Sequence, residues 1–231
     1  MKTLITLLAG LFVSASTAVL ASDNTLSAIE QQQGWESLFD GKSLKGWRNY
    51  QKDEAGSNWQ VSNGTITLTK GGGGDLITEK QYAEFELSLD WKISDAGNSG
   101  VFFLADESEQ YIFFHAPEIQ IIDNEKHPDS KLDSHRSGSL YDMVVAPSAA
   151  YRDAGEWNNL RIKLHNDVLE VWQNGVMTVH IVMHSSTWDK LVAASKFAKW
   201  EGFGDQTKGH IGLQDHGDKV WFKNIKIREL R

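Results

Sequence analysis

The sequence predicts an all-β protein, a two-sheet antiparallel β-sandwich of the jelly-roll type with a short helix in a loop. Three observations predict it: polar and apolar residues alternate in many short segments, turn signals separate these segments, and helical periodicity is almost absent. Two such sheets stack through their apolar faces and leave a concave outer face for a ligand. A chain of 231 residues suits one such domain, and it contains no cysteine for disulfides.

The clearest strands lie in the middle of the chain. In segment 83–94, every second residue from Phe85 to Trp91 is apolar and its neighbours are polar. Segment 159–175 predicts two strands joined by a turn at Asn166-Asp167. The Asn-Gly pair that follows at 174–175 predicts a further hairpin, because both residue types tolerate positive φ.

The C-terminal third predicts two more strands, at 210–214 and 220–230, with a slip in the alternation near Asn224. Segment 188–199 predicts a short helix within a loop. The residues expected to share one helical face are Leu191, Ala194, Ser195 and Ala198.

Residues 1–21 have the pattern of a cleavable signal peptide. Lys2 is positively charged, residues 4–13 form an apolar run too short to span a bilayer, and small residues precede a cleavage site after Ala21. We expect a protein free in the periplasm or outside the cell, since a lipid anchor would need a cysteine. An uncleaved membrane anchor is the alternative.

Residues 22–34 form a polar leader with little reason to pack, and the domain is expected to occupy 35–231. The formal charge is −8, and loss of Lys2 with the signal peptide changes it to −9. An acidic surface repels phosphates, which excludes nucleic acid and anionic membranes as favoured partners. Nine Trp and ten Phe serve mainly the core, although aromatic faces also suit sugar rings.

Ordered motifs from about residue 35 to the C-terminus give the chain a family resemblance. They include FDGKSLKGW (39–47), GNSGVFF (97–103), EIQIIDN (118–124), HRSGSLYD (135–142), SKFAKWEGFG (195–204) and GHIGLQDHGDKVWFKNIKIREL (209–230). In this order they resemble the 3-keto-disaccharide hydrolase domain family. The resemblance implies a concanavalin-A-like jelly roll and hydrolysis of glycosides whose sugar carries a ketone at C3. It also implies an upstream oxidoreductase that supplies the ketone.

Strand 118–122 carries the main catalytic candidate. Alternation places Glu118, Gln120 and Ile122 on one face and two isoleucines toward the core. A retaining glycosidase needs two carboxyl groups about 5–5.5 Å apart, and this strand offers one. Glu118 is therefore predicted as an acid–base group and Gln120 as a substrate contact; an exposed glutamate without a role is the alternative.

A C3 ketone explains how a single carboxyl group can suffice. The ketone acidifies the C2 proton, so a base can remove it, the C1 oxygen leaves, and water adds back. This route needs a base, a donor to the enolate oxygen and an acid for the leaving group.

A second group of candidates lies at 214–216. His216 follows the strand that carries Gln214, and its imidazole can exchange protons near neutral pH. We predict His216 as the second catalytic residue and Gln214 and Asp215 as substrate contacts. A turn histidine bound to the backbone is the alternative.

The long loop 123–142 is rich in polar residues, and long loops are often functional. Its predicted substrate contacts are His127, His135, Arg136 and Tyr141. A divalent cation, Ca²⁺ or a transition metal, could bind Asp123, His127 and Asp129, although a hydrogen-bonded polar loop is the favoured interpretation.

Asn98 precedes a strand and is predicted to bind a sugar hydroxyl, with a tight turn as the alternative. The glycine-bounded loop with Lys196, Phe197 and Trp200 could cover the ligand. Nucleophile-elbow, zinc-protease and phosphate-loop motifs are absent from the sequence.

The sequence is also compatible with two other functions. A lectin-like module would bind carbohydrate through the same face without turnover. A conventional glycosidase would need a partner carboxylate for Glu118, for example from Asp90 or Asp215.

Overall fold

The computed structural model describes residues 22–230, which form two stacked antiparallel sheets. The predicted signal peptide at 1–21 lies outside the described residues. Within residues 22–230, no helix has the length and apolar character needed to cross a bilayer.

The strands are β1 (Glu36–Ser37), β2 (Trp47–Asn49), β3 (Trp59–Ser62), β4 (Thr65–Leu68), β5 (Leu76–Thr78), β6 (Phe85–Ile93), β7 (Asn98–Ala105), β8 (Glu118–Ile122), β9 (Asn158–His165), β10 (Val168–Gln173), β11 (Val176–Val182), β12 (His210–Leu213) and β13 (Val220–Glu229). The α-helices are α1 (Ala28–Gln32) and α2 (Ser186–Ala194). The 3-10 turns are Ile112–Phe114, Pro128–Lys131, Asp133–His135, Ser148–Ala150 and Lys196–Lys199.

The larger sheet runs β11-β10-β9-β6-β13-β4-β3, with β1 added to β13, and the smaller runs β2-β5-β12-β7-β8. The predicted two-sheet antiparallel sandwich is confirmed. Its core forms because alternate residues of each strand face the other sheet. The four alternating apolar residues of β6, from Phe85 to Trp91, are all fully buried.

The turn residues act as the sequence predicts. Asn166 and Asp167 have φ values of 51° and 60°, and Asn174 and Gly175 have 51° and 80°, as a tight hairpin requires. The slip in β13 is a bulge: the pairing with β6 shifts between Lys223 and Lys226, and Asn224 has φ 54°.

The predicted helix exists, but its bounds and its buried face differ. Helix α2 is capped by Ser185, and Trp188 is the residue that it buries. Ala194 and Ala198, both expected on the packed face, are exposed. The indole of Trp188 removes more apolar area from water than the small alanine side chains could, so its burial sets the orientation of the helix. A 3-10 turn after α2 then places Phe197 in the core.

The polar leader is ordered on the surface of the domain, although helix α1 buries none of its residues. Helix α1 begins with a capping box in which Ser27 and Glu30 bond each other's backbone N–H groups. Asn24 and Asn224 exchange backbone-to-side-chain hydrogen bonds of 2.6 and 2.8 Å. The bulge therefore supplies the polar groups that hold the leader.

The outer face of the smaller sheet carries its own apolar cluster at one end. Ile112, in the segment 106–117 between β7 and β8, packs there with Ile77 and Phe102. This contact fixes a loop beside the polar part of the same face, where β7, β8 and the end of β12 lie side by side.

Candidate functional site

A cleft of about 180 Å³ lies on the outer face of the smaller sheet. Its lining residues are Asn98, Phe113, Glu118, Gln120, Tyr141, Lys196, Phe197, Gln214 and His216. Six residues that the sequence predicted as site residues therefore meet in one cavity: Asn98, Glu118, Gln120, Tyr141, Gln214 and His216.

Strand register explains why residues far apart in sequence meet here. Gly100 of β7 lies opposite Gln120 of β8, and the Gln214 N–H donates to the Gly100 carbonyl at 3.0 Å. The three residues thus form a row across the sheet, with Glu118 and Asn98 on neighbouring positions of the same face.

Gly100 forms the floor under the catalytic candidate. A Cβ at this position would lie 2.0 Å from Oε1 of Glu118, so only glycine leaves space for the carboxyl group. The glycine is used here for close approach of a functional group to the backbone.

Glu118 is buried, with 6% of its surface exposed. Burial raises the pKa of its carboxyl group to about 8, Lys196 opposes the shift, and the negative charge of Asp75 adds to it. A carboxyl group with this pKa is mostly protonated at pH 7 and can act as a general acid.

Two amide oxygens in the cleft have no hydrogen-bond partner. They are Oδ1 of Asn98 and Oε1 of Gln214, both buried. A buried acceptor without a partner costs free energy, which a ligand hydroxyl would recover. Oε1 of Gln120 instead accepts the Ile121 N–H at 3.1 Å, so its NH₂ group is the part available to a ligand.

A chain of hydrogen bonds supports the side of the cleft that Tyr141 and Lys196 form. The Tyr141 hydroxyl donates to Oδ2 of Asp129 at 2.9 Å. The two ring nitrogens of His135 lie 2.9 Å from Oδ1 of Asp129 and Oδ1 of Asp142. Oδ2 of Asp142 accepts the Lys196 N–H at 2.8 Å. His135 is therefore behind the lining, where it connects Tyr141 to the loop of Lys196.

Lys196 brings a positive charge into the cleft. Its Nζ lies 4.1 Å from the centre of the Tyr141 ring. Burial lowers its pKa, while Glu118 acts in the opposite direction. The sequence suggested only a covering role for this residue. Lys196 is placed in the cleft by the end of α2 and by the hydrogen bond from its backbone N–H to Asp142. Sequence periodicity cannot reveal a contact of this kind.

Asp215 holds the turn of His216 and is not part of the cleft lining. Its Oδ2 accepts the N–H groups of Gly73 and Gly74 at 2.7 and 3.0 Å, and Oδ1 accepts that of Gly217 at 3.0 Å. Asp75 in turn accepts the Asp215 N–H at 2.9 Å. The Gly71–Gly74 loop is thus a support for the turn that carries the imidazole.

The other predicted substrate contacts lie outside the cleft lining. Nε of Arg136 donates to the Ser130 carbonyl at 3.0 Å, and the residue lines a separate surface pocket together with Asn124 and Tyr151. His127 is at the edge: its Nδ1 accepts the Asp129 N–H, and its ring centre lies 6.2 Å from that of His216.

The candidate cation ligands do not converge. Oδ1 of Asp123 accepts the Glu125 N–H at 3.0 Å and Oδ2 accepts the Ala96 N–H at 2.8 Å. Asp129 faces His135 and Tyr141 instead. Among residues 22–230, no group of three or more His, Asp or Glu side chains is arranged to hold a metal ion.

Glu118 is the one carboxyl group among the described residues that line the cleft. Asp90, considered above as a partner acid, belongs to the larger sheet and accepts hydrogen bonds from Asn159 and Asn224. Asp215 is bound by backbone N–H groups. The pair of facing acids that a conventional glycosidase uses is not formed by these residues.

Residues 34–228 match the family model described as a 3-keto-alpha-glucoside-1,2-lyase-like domain. The chain belongs to this family. A 3-keto-disaccharide hydrolase of Bacteroides thetaiotaomicron strain VPI-5482 is 36% identical, and the match covers 94% of this chain and 86% of that protein. The family expected from the ordered motifs is confirmed.

Solved structures agree with the fold. A Parabacteroides distasonis ATCC 8503 protein with the provisional name glycosyl hydrolase matches with a TM-score of 0.85 and 32% identity, covering 91% of this chain and 100% of that one. A Bacillus subtilis protein with a galectin-like fold matches with a TM-score of 0.52 and 13% identity, covering 90% and 94%. At that identity the likeness concerns the fold alone.

The burial of Glu118 predicts a pH-dependent stability difference between the native protein and Glu118→Gln. The folded-state pKa of about 8 exceeds the ordinary 4.5, so the folded protein holds a proton that the unfolded chain releases, and native stability falls as pH rises from about 4.5 to 8. Glutamine has no such proton. We expect the Tm of Glu118→Gln minus the Tm of the native protein to increase by roughly 5–10 °C between pH 5 and pH 8.5.

Thermal unfolding at both pH values measures this difference. Glu125→Gln, which alters an exposed glutamate, is the matched control and should show no such growth. A Tm difference for Glu118→Gln that is the same at both pH values would contradict the burial of this carboxyl group.

The floor contact predicts that Gly100→Ala displaces the Glu118 carboxyl group. We expect kcat/KM for the substrate of the cleft to fall about 100-fold. A displacement of a catalytic group by about 1 Å can reduce the rate by this factor. In a Glu118→Gln background the same change should cost far less, because the displaced group is already inactive. Equal losses in both backgrounds would show that the methyl group acts through something other than Glu118.

Proposed function

We propose that this protein cleaves 3-keto-glycosides, with Glu118 and His216 moving the protons. The observation that supports it best is a single buried carboxyl group with a raised pKa in a cleft lined by amides, a lysine and a histidine. Such a set lacks the second acid of ordinary glycosidases, and an elimination route does not need one. Family membership supports the same chemistry.

The reaction begins at C2 of the 3-keto ring. His216 takes the C2 proton, and the electron pair moves into the carbonyl to form an enolate at O3. The pair then returns, a double bond forms between C1 and C2, and the bond from C1 to the leaving oxygen breaks. Glu118 gives that oxygen its proton. Water adds at C1 and gives a proton to the Glu118 carboxylate, and His216 returns a proton to C2, which completes a net hydrolysis and restores both groups.

The raised pKa suits Glu118 to the acid role, because the carboxyl group is protonated before the leaving oxygen needs the proton. His216 is exposed at the cleft, with its turn fixed by Asp215. It can therefore exchange the proton with solvent after each turnover.

The remaining lining residues hold the sugar. The Lys196 ammonium group and the NH₂ group of Gln120 are donors that can face the enolate oxygen. The unpartnered oxygens of Asn98 and Gln214 accept from sugar hydroxyls. The Tyr141 hydroxyl donates its hydrogen bond to Asp129, so its oxygen is left to accept a hydrogen bond from a substrate hydroxyl.

This chemistry assigns the protein a place in a reaction sequence. Its substrate is a small carbohydrate that already carries a C3 ketone, so an upstream oxidoreductase must first oxidise the C3 hydroxyl group. Neither nucleic acid nor a membrane surface is among the proposed partners, in keeping with the formal charge of −8.

Release of 3-keto-glucose from a 3-keto-glucoside tests the function directly. We expect turnover by the native protein and losses of about 10²–10⁴ in kcat for Glu118→Gln and for His216→Asn. Glu125→Gln should retain full activity. A native protein that binds the sugar without cleaving it would instead be a lectin-like module.

The pH dependence of kcat/KM tests the acid role of Glu118. Activity should decline as pH rises through about 8, because the carboxyl group then loses the proton that it must give. A rate that keeps rising above pH 9 would assign the acid role to another group.

We also propose export, on the basis of the signal-peptide pattern in residues 1–21. Expression in a Gram-negative host should yield a periplasmic protein whose N-terminal residue is Ser22. Recovery of the chain from the cytoplasm with residues 1–21 intact would count against export.

A further inference from the structure

An exposed aromatic surface adjoins the cleft. Tyr111 and Phe113 are the two aromatic residues among the exposed large apolar side chains of residues 22–230, at 47% and 37% exposure. Their rings stack with centroids 5.3 Å apart and an 11° angle between the planes. We call this pair the aromatic shelf.

The shelf is held rigidly from behind. Phe113 packs edge-on against Phe114, with ring centroids 5.1 Å apart, and in a tilted arrangement against Trp200, with centroids 5.6 Å apart. Between the two shelf residues, Ile112 is buried in the apolar cluster on the outer face of the smaller sheet. The burial of Ile112 anchors the segment and keeps the two rings exposed on the surface. Their orientation is therefore not explained by burial of their own apolar area.

The shelf continues directly from the cleft, since Phe113 lines both. The cleft volume of about 180 Å³ is below the roughly 300–1,000 Å³ of pockets that enclose drug-sized ligands. It therefore suits one sugar ring. In a disaccharide the leaving group is a second ring, and this ring must extend past the rim of the cleft.

We infer that the aromatic shelf is the subsite for the leaving-group sugar ring of a 3-keto-disaccharide. The inference rests on the proposed function and adds the class of leaving group. The apolar C–H face of a pyranose can stack on the flat, apolar face of an aromatic ring. The Tyr111 hydroxyl, which accepts from Nε2 of Gln110 at 3.3 Å, offers a polar contact at the edge for a hydroxylated ring.

Two substrates separate the shelf from the cleft. A 3-keto-disaccharide has the second ring, while methyl 3-keto-glucoside has only a methyl group there. For Tyr111→Ala, we expect the ratio of kcat/KM for the disaccharide to kcat/KM for the methyl glycoside to fall about 3- to 10-fold, mainly through KM. Tyr111→Phe keeps the ring and should preserve most of the native ratio.

Met177→Ala, which removes an exposed apolar side chain of β11, is the matched control and should leave the ratio unchanged. A ratio that Tyr111→Ala does not alter, or equal losses on both substrates, would overturn the subsite while leaving the proposed function intact. A native protein that cleaves neither substrate would overturn the proposed function itself.

Discussion

The contact between the Glu118 carboxyl group and Gly100 is the constraint on which the site depends. Because Gly100 has no side chain, the Glu118 carboxyl group can pack directly against the backbone of β7, and only 6% of Glu118 is exposed. Removal from water then raises the pKa of the carboxyl group to about 8. One glycine on a neighbouring strand thus sets both the position of the acid and its protonation state.

The surrounding residues fit a site made for a polyhydroxylated ligand. Two buried amide oxygens lack partners, and the tyrosine hydroxyl is oriented by a carboxylate behind it. Unpaired buried acceptors are costly in a finished fold, so their presence in the one cleft that holds Glu118 indicates preorganisation for hydrogen-bond donors. The same wall carries the lysine, whose loop is tied to Asp142.

The sequence predicted the sheets and the shared face of the strand-borne candidate residues, because alternation has a strict period of two. Glu118 and Gln120 could be assigned to one face by counting alone. The loop residues were harder: His135 ends a 3-10 turn and Arg136 follows it, side-chain directions in such turns have no simple period, and neither residue lines the cleft. The order of the leader could not be predicted because reciprocal asparagine hydrogen bonds hold it to a bulge 200 residues away.

The order of strands in the larger sheet has a consequence for biosynthesis. Among the strands of residues 22–230, β13 comes last in the sequence, yet it lies between β6 and β4 in the interior of that sheet. A growing chain can therefore not complete the sheet before β13 has been synthesised, and the facing edges of β6 and β4 remain unpaired until then. Such non-local pairing slows folding and exposes unpaired strand edges that can aggregate, so removal of β13 would leave β6 and β4 unpaired in the interior of the sheet.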